Sequence, residues 1–161
     1  MSDILVKLAD MAVTNGNGDG LAAYGLGSTV AVILYDETTK VGGCLQFMLS
    51  GSMSSPQRAR EYPGMFADTG IALLMKSCLA AGARRESLTA WLAGGADLME
   101  KGPGYRVGEE NVTAARKILL GLGITVQAEA TGGCVFRTVR LDTTTGRTYL
   151  KRHGGGWEEL R

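Results

Sequence analysis

Cysteine and histidine could supply nucleophilic or metal-binding chemistry in this chain, and both are scarce. The 161 residues include three cysteines, Cys44, Cys78 and Cys134, and one histidine, His153. One histidine cannot build a zinc site of the two- or three-histidine kind, and the chain has no Cys-x-x-Cys pair for a zinc ribbon or a redox motif. We therefore expect no metal and no other cofactor. The odd cysteine count favours a reducing compartment over a disulfide scaffold.

Residues 25–30, Gly-Leu-Gly-Ser-Thr-Val, resemble part of a phosphate-binding loop. The dinucleotide fingerprint needs a third glycine where this chain has Val30, and a helix after it, whereas the residues that follow have the pattern of a strand. The chain also lacks the Gly-Lys-Ser/Thr of a P-loop. Glycine accounts for 24 residues, and we expect the doublets that begin at Gly42, Gly94 and Gly132 to let backbones approach closely at strand ends.

The charge of the chain is almost balanced, with 17 basic and 16 acidic residues and a formal net charge of +1. The basic residues occur as scattered short pairs, whereas a nucleic-acid binder concentrates them on one face to neutralise phosphates, so we expect no nucleic-acid partner. The N-terminal segment lacks the basic region of a signal peptide, and no apolar run approaches the roughly 18 residues that span a bilayer. We expect a cytoplasmic protein without membrane insertion.

The spacing of apolar residues predicts two helices among several strands. The first helix has Asp68 and Thr69 as candidate caps, buries a stripe that includes Ile71, Leu74 and Cys78, and ends at Gly82. The second begins near Gly108 and ends between Gly121 and Gly123. Alternating or continuous apolar runs predict strands over residues 30–35, 41–49, 88–93, 124–130, 135–141 and 147–151.

Two turns of hairpin type, residues 36–40 and 142–146, join the first two and the last two of these strands. Hairpins near both ends of the chain with two helices between them favour an α+β fold, a mixed β-sheet sandwich with the helices packed on one face. We expect one domain over residues 1–161, with ends at 1–19 and 153–161 that can be flexible. Residues 50–63, rich in Ser, Gly and Arg, predict a long loop.

Several segments of the chain resemble, in order and spacing, the CheD family of chemoreceptor glutamine deamidases. They are Tyr24-Gly-Leu-Gly-Ser-Thr-Val-Ala-Val, Val41-Gly-Gly-Cys-Leu-Gln-Phe-Met-Leu, Phe66-Ala-Asp-Thr, Gly94-Gly-Ala, Val107-Gly-Glu-Glu-Asn-Val, and Ala128-Glu-Ala-Thr-Gly-Gly followed by Thr145-Gly-Arg. The resemblance implies a mixed sandwich and a cysteine-based reaction. A thiolate attacks the side-chain carboxamide of a receptor glutamine, ammonia leaves, and water resolves the thioester to give glutamate.

The catalytic residues that the resemblance implies are all replaced in this chain. The nucleophilic cysteine falls on Thr29, the histidine base on Gln46 and the orienting threonine on Ala23. Thr29 offers a hydroxyl without an adjacent amine, Gln46 cannot carry a proton at neutral pH, and Ala23 orients nothing. Because nucleophile and base are lost together, the sequence predicts a pseudoenzyme that keeps the fold and binds without turnover.

Cys44 is the alternative nucleophile. On a strand it shares a face with Gln46, two residues away, and His153 is the one available base. The other interpretation of all three cysteines is that they are small core residues.

Gly27, Ser28, Asp68 and Thr69 are the binding candidates, because they flank the nucleophile position or begin the helix that borders the family's cleft. For Asp68 a purely structural N-cap is the alternative. The resemblance implies methyl-accepting chemoreceptors and a CheC-like phosphatase as partners.

Overall fold

A computed structural model describes residues 3–98 and 106–161, which form two five-stranded sheets and three α-helices. The strands are β1 Asp3–Leu5, β2 Asp10–Thr14, β3 Gly20–Leu26, β4 Val30–Asp36, β5 Gly42–Phe47, β6 Leu88–Gly94, β7 Thr125–Thr131, β8 Arg137–Asp142, β9 Arg147–Arg152 and β10 Trp157–Glu159. The helices are α1 Pro56–Glu61, α2 Ala67–Ala80 and α3 Val107–Gly121, and single 3₁₀ turns cover Pro63–Met65 and Arg85–Ser87.

The two sheets stack as a sandwich, and the helices cover one of them. One sheet has the order β1-β3-β8-β9-β10 and the other β2-β5-β4-β6-β7. β1 runs parallel to β3 and β6 parallel to β7, and the remaining pairs are antiparallel. The predicted α+β class, a mixed sandwich with helices on one face, is confirmed.

Successive side chains of β4 point to opposite faces of its sheet and so belong to two separate core layers. Ala31 and Ile33 point into the layer between the sheets, together with Leu21, while Val32 points to the opposite face against Leu74 of α2. β4 is buried along its whole length, since it has a sheet on one side and helices on the other. This central position explains why β4 reads as an unbroken apolar run.

The predicted hairpins are confirmed, since β4 pairs with β5 and β8 with β9, both antiparallel. The two predicted helices are α2 and α3 with bounds shifted by one or two residues. The predicted loop over residues 50–63 is wrong in part because it contains α1. Only Ala59 of that helix is buried, so the sequence has no apolar stripe that would predict the helix.

Four strands were not predicted: β1, β2, β3 and β10. The first two and the last lie in the terminal segments that were expected to be flexible, and each is paired along its length. Among the described residues no helix is long and apolar enough to cross a membrane.

Candidate functional site

The loop between β3 and β4, residues 27–29, is held by main-chain hydrogen bonds from the segment after β6. The N–H of Ala96 donates to the carbonyl oxygen of Gly27 at 2.8 Å, and the N–H of Gly95 donates to that of Thr29 at 2.9 Å. These bonds continue the β4–β6 ladder beyond the last strand pair, Val30 with Gly94. The loop is therefore fixed by backbone contacts rather than by its own side chains.

Two glycines allow three chain segments to meet behind this loop. A Cβ atom on Gly94 would lie 2.2 Å from the carbonyl oxygen of Thr29, and the residue has φ +108°. A Cβ atom on Gly108, in the first turn of α3, would lie 2.5 Å from the carbonyl oxygen of Gly95. No side chain fits at either place, so the expectation that glycine permits close backbone approach holds here.

Thr29 and Gln46, the positions of the nucleophile and the base in the resemblance, are in contact. The hydroxyl oxygen of Thr29 lies 3.4 Å from Oε1 of Gln46, to which it donates, and Nε2 of Gln46 donates to the carbonyl oxygen of Val6 at 3.1 Å. Gln46 is 5% exposed. Both ends of its amide thus have partners inside the protein, and neither end can take a proton from the threonine.

The segment after β1 connects Gln46 to the strand that contains Ala23. Val6 donates its N–H to the carbonyl oxygen of Ala22 at 2.8 Å and accepts from Gln46, while the N–H of Ala9 donates to the carbonyl oxygen of Gln46 at 2.8 Å. Ala23 is fully buried in the layer between the sheets, the same layer as Ala31, the cross-strand partner of Gln46. Ala23 and the cross-strand partner of Gln46 therefore belong to the same core layer, and the segment that follows β1 contacts both β3 and β5.

Asn111 of α3 supports the same region and was not singled out from the sequence. Its Nδ2 donates to the carbonyl oxygen of Ser28 at 2.9 Å and to that of Met48 at 2.8 Å. It is 1% exposed, and its Oδ1 has no donor among the described residues. One amide thus joins the loop before β4 to the chain after β5. A polar residue next to the apolar Val112 was the available signal, since a buried amide in a helix needs specific partners.

The carboxylate of Asp68 binds a loop rather than capping its helix. The N-cap of α2 is Phe66, and Asp68 lies in the first turn. Its Oδ2 accepts from the hydroxyl of Ser52 at 2.7 Å and from the N–H of Ser52 at 3.2 Å. Burial raises the pKa of Asp68, but the bonds from Ser52 and from the backbone outweigh it and leave the pKa below its usual value. The prediction of Asp68 and Thr69 as cap residues is therefore wrong by two to three positions.

The first turn of α2 uses its donors internally. The N–H of Ala67 donates to the carbonyl oxygen of Leu49 at 2.9 Å, and that of Thr69 to Oδ1 of Asp68 at 2.9 Å. The hydroxyl of Thr69 donates to the carbonyl oxygen of Pro63 at 2.7 Å. These contacts give Asp68 and Thr69 a structural role, and the binding role expected for them stays a prediction.

The environment of Cys44 does not favour its role as a nucleophile. Cys44 is fully buried between the sheets, and burial raises its pKa to about 12. His153 is exposed after the end of β9, so the geometry argues against a Cys44–His153 pair. Cys78 is a buried core residue of α2 as predicted, but Cys134 is exposed, which corrects the expectation that all three belong to the core. The described residues hold no cluster of three or more His, Cys, Asp or Glu that could bind a metal.

Comparison with known proteins shows the family of the chain. A family model described as "CheD chemotactic sensory transduction" matches residues 48–152. A "probable chemoreceptor glutamine deamidase CheD 1" of Syntrophus aciditrophicus is 42% identical over 99% of this chain and 100% of the relative. A protein of Solibacter usitatus is 42% identical over 96% of this chain and 91% of the relative, and one of Pyrococcus horikoshii is 39% identical over 94% of this chain and 93% of the relative. Both carry the same designation without the number. The chain therefore belongs to the CheD family.

Proposed function

We propose that this protein is a CheD-family member that has lost deamidase activity and acts in chemotaxis by binding. Its binding partner is a methyl-accepting chemoreceptor or a CheC-like phosphatase, and it works in the cytoplasm. The relatives are designated probable chemoreceptor glutamine deamidases, which supports the receptor as the molecule recognised. In this proposal the chain still recognises the family's partners but does not catalyse the family's reaction.

The observation that carries the loss of activity is the amide of Gln46. Hydrolysis of a carboxamide through a covalent intermediate needs a nucleophile that can give up its proton and a base that can accept it. At these positions a threonine hydroxyl donates to an amide oxygen, and the amide nitrogen is itself engaged with Val6. Oε1 is a weak acceptor for the hydroxyl proton but not a base at neutral pH.

An active deamidase that uses Cys44 is the alternative, and the structure offers it no support. Attack requires a thiolate that reaches the substrate carbonyl, yet Cys44 is 0% exposed, with a pKa raised to about 12 by burial. Chemistry at this sulfur would first require opening of the layer between the sheets. We therefore do not propose Cys44 as the nucleophile, and the assay below tests it with a variant.

Ammonia release from purified receptor fragments is the deciding assay, with mass spectrometry of the glutamines as a second readout. We expect the natural chain to give no release above the blank. The triple variant Ala23→Thr, Thr29→Cys and Gln46→His is the positive control, because it restores the three residue types that the resemblance implies. Turnover by the natural chain that Cys44→Ala abolishes would show that the nucleophile had moved, and turnover that Thr29→Ala abolishes would show a threonine nucleophile.

Binding is tested separately from catalysis. We expect the natural chain to bind a receptor fragment or a purified CheC-like protein in calorimetry, and the Thr29→Ser variant to bind as tightly because the loop is held by main-chain contacts. If neither partner binds at protein concentrations of about 100 μM, the binding half of the proposal fails even where no ammonia is released.

A further inference from the structure

A groove lies on the face of the β1-β3-β8-β9-β10 sheet that no helix covers. Its cavity volume is about 460 Å³, which is the size of a pocket that holds a few side chains. The residues that line it come from the four neighbouring strands β3, β8, β9 and β10 and from the segments beside them. The groove does not contain Thr29 or Gln46.

The sheet register explains how this groove forms. Lys151 of β9 stands opposite Thr138 of β8 on one side and opposite Trp157 of β10 on the other. The hydroxyl of Thr138 accepts a 3.4 Å hydrogen bond from the N–H of Gly25, which extends the row to β3. Side chains opposite one another project from the same face of a sheet. Lys151 and Trp157 therefore stand side by side on the open face.

Aromatic rings dominate the exposed surface of the groove. Tyr24 is 54% exposed, and Phe136 and Trp157 are each 47% exposed. A cluster of exposed rings indicates an interaction site, because aromatic side chains are enriched at protein interfaces. A single exposed apolar residue would carry no such meaning. The ring of Phe136 also lies against Gly27, where a Cβ atom would be 3.2 Å from it. An occupant of the groove would therefore lie next to the 27–29 loop.

The charge of the groove has one sign. Three of its lining residues are lysine or arginine, and none is acidic. Arg152 is paired with Glu158, and Arg137 donates to the carbonyl oxygens of Gly94 and Gly132. Lys151 makes no ion pair with any of the described carboxylates. Its ammonium is the cation that remains available to a partner.

We propose that this groove docks an acidic segment of a partner protein. An apolar side chain of the segment packs among Tyr24, Phe136 and Trp157, and a carboxylate beside it pairs with Lys151. A nucleic-acid strand fits less well, because it needs several cations along its backbone, and the two arginines here are already engaged. The inference does not depend on whether the Thr29–Gln46 site is active.

Tryptophan fluorescence tests the proposal, since Trp157 is exposed and Trp91 is 8% exposed. The probe is a synthetic peptide with leucine flanked by glutamates, and its matched control has every glutamate replaced by glutamine. We expect the glutamate peptide to shift the emission of Trp157 saturably and the glutamine peptide to bind up to about fivefold more weakly, since an exposed ion pair contributes up to about 1 kcal/mol. Added salt should weaken the glutamate peptide alone.

Matched variants locate the binding. Lys151→Gln should weaken the glutamate peptide about fivefold, while Lys76→Gln, an exposed lysine of α2 on the other side of the molecule, should leave it unchanged. Trp157→Phe, followed by calorimetry, should keep the fold and weaken both peptides.

Three results would overturn the proposal. They are equal affinity for the two peptides, no saturable binding of either at about 1 mM, and tighter binding of an oligothymidylate than of the glutamate peptide. Self-association of the chain that Trp157→Phe abolishes would instead assign the groove to a second copy and overturn it equally.

Discussion

Removal of the Asn111 side chain tests whether one amide holds the two halves of the site together. In Asn111→Ala, the carbonyl oxygens of Ser28 and Met48 lose the donor at 2.9 Å and 2.8 Å. An acceptor left without a partner in a partly buried place costs about 1–3 kcal/mol. At about 1.5 kcal/mol each, the two losses lower the free energy of unfolding by about 3 kcal/mol.

Two further effects of this substitution have opposite signs. The variant leaves a small void, which lowers stability further, but it also removes Oδ1, a buried acceptor without a donor among the described residues. We treat these as offsetting, so the expected loss stays at about 3 kcal/mol, or about 6–12 °C in Tm for a domain of this size. Urea unfolding followed by circular dichroism measures it.

Two comparison variants make the interpretation specific. Thr113→Ala, an exposed position of the same helix, should stay within about 0.5 kcal/mol of the natural chain. Asn111→Asp keeps the size but turns a carboxylate toward two carbonyl oxygens, so it should be less stable than Asn111→Ala at neutral pH. It should recover part of that loss on acidification, because its protonated form is a donor.

The result that would refute the reasoning is a loss below about 0.5 kcal/mol for Asn111→Ala, since surface substitutions of no consequence fall in that range. In that case the two carbonyl groups do not depend on the amide. An Asn111→Asp variant whose stability did not change between neutral and mildly acidic pH would contradict the same argument by a second route.

Two other predictions follow from burial and hydrogen bonding. A thiol-selective reagent at neutral pH should modify Cys134 in the native protein and leave Cys44 and Cys78 unmodified until unfolding, because burial raises the pKa of both to about 12; rapid labelling of Cys44, followed by peptide mapping, would contradict this. Burial raises the pKa of Asp36, but hydrogen bonds from the N–H of Arg84 and from nearby turn residues lower this pKa overall. The Asp36 carboxylate therefore stabilises the fold fully above its unfolded pKa near 3.8, and this stabilisation is lost as the pH falls through its lower folded pKa. Asp36→Asn should flatten this acid limb of the unfolding free energy, and an unchanged acid limb would show that the carboxylate is not responsible.

The long elements were predictable because each has a strong local pattern. β4 has a continuous apolar run, and the stripe of α2 through Cys78 is buried as its spacing predicts. The strands that were missed are short or rich in glycine, and β1, β2 and β3 pair with residues far along the chain. β1, for example, has three residues and is held by β3 and by the contacts of Val6. Such strands depend on tertiary contacts that local propensity does not report.

The matched motifs selected two residues that prove to be in contact, but they did not indicate the other contacts of the site. The resemblance selected Thr29 and Gln46, and the structure brings their side chains within 3.4 Å. Neither periodicity nor the matched motifs indicated that Val6 would take the other end of the Gln46 amide, or that Asn111 would bridge two carbonyls. Both contacts join residues far apart in the chain, so they follow from the packing of the sandwich rather than from local sequence.

At Gly94 and Gly108 the backbone atoms of neighbouring segments pack directly against one another. This packing has a consequence for substitutions at Thr29. The carbonyl oxygen of Thr29 accepts from the N–H of Gly95 and lies against Gly94, and these backbone contacts are separate from the hydrogen bond that its side chain donates to Gln46. The side chain at this position can therefore vary without moving the loop that presents it. The chemistry of the side chain and the course of the backbone at position 29 can therefore change independently of each other.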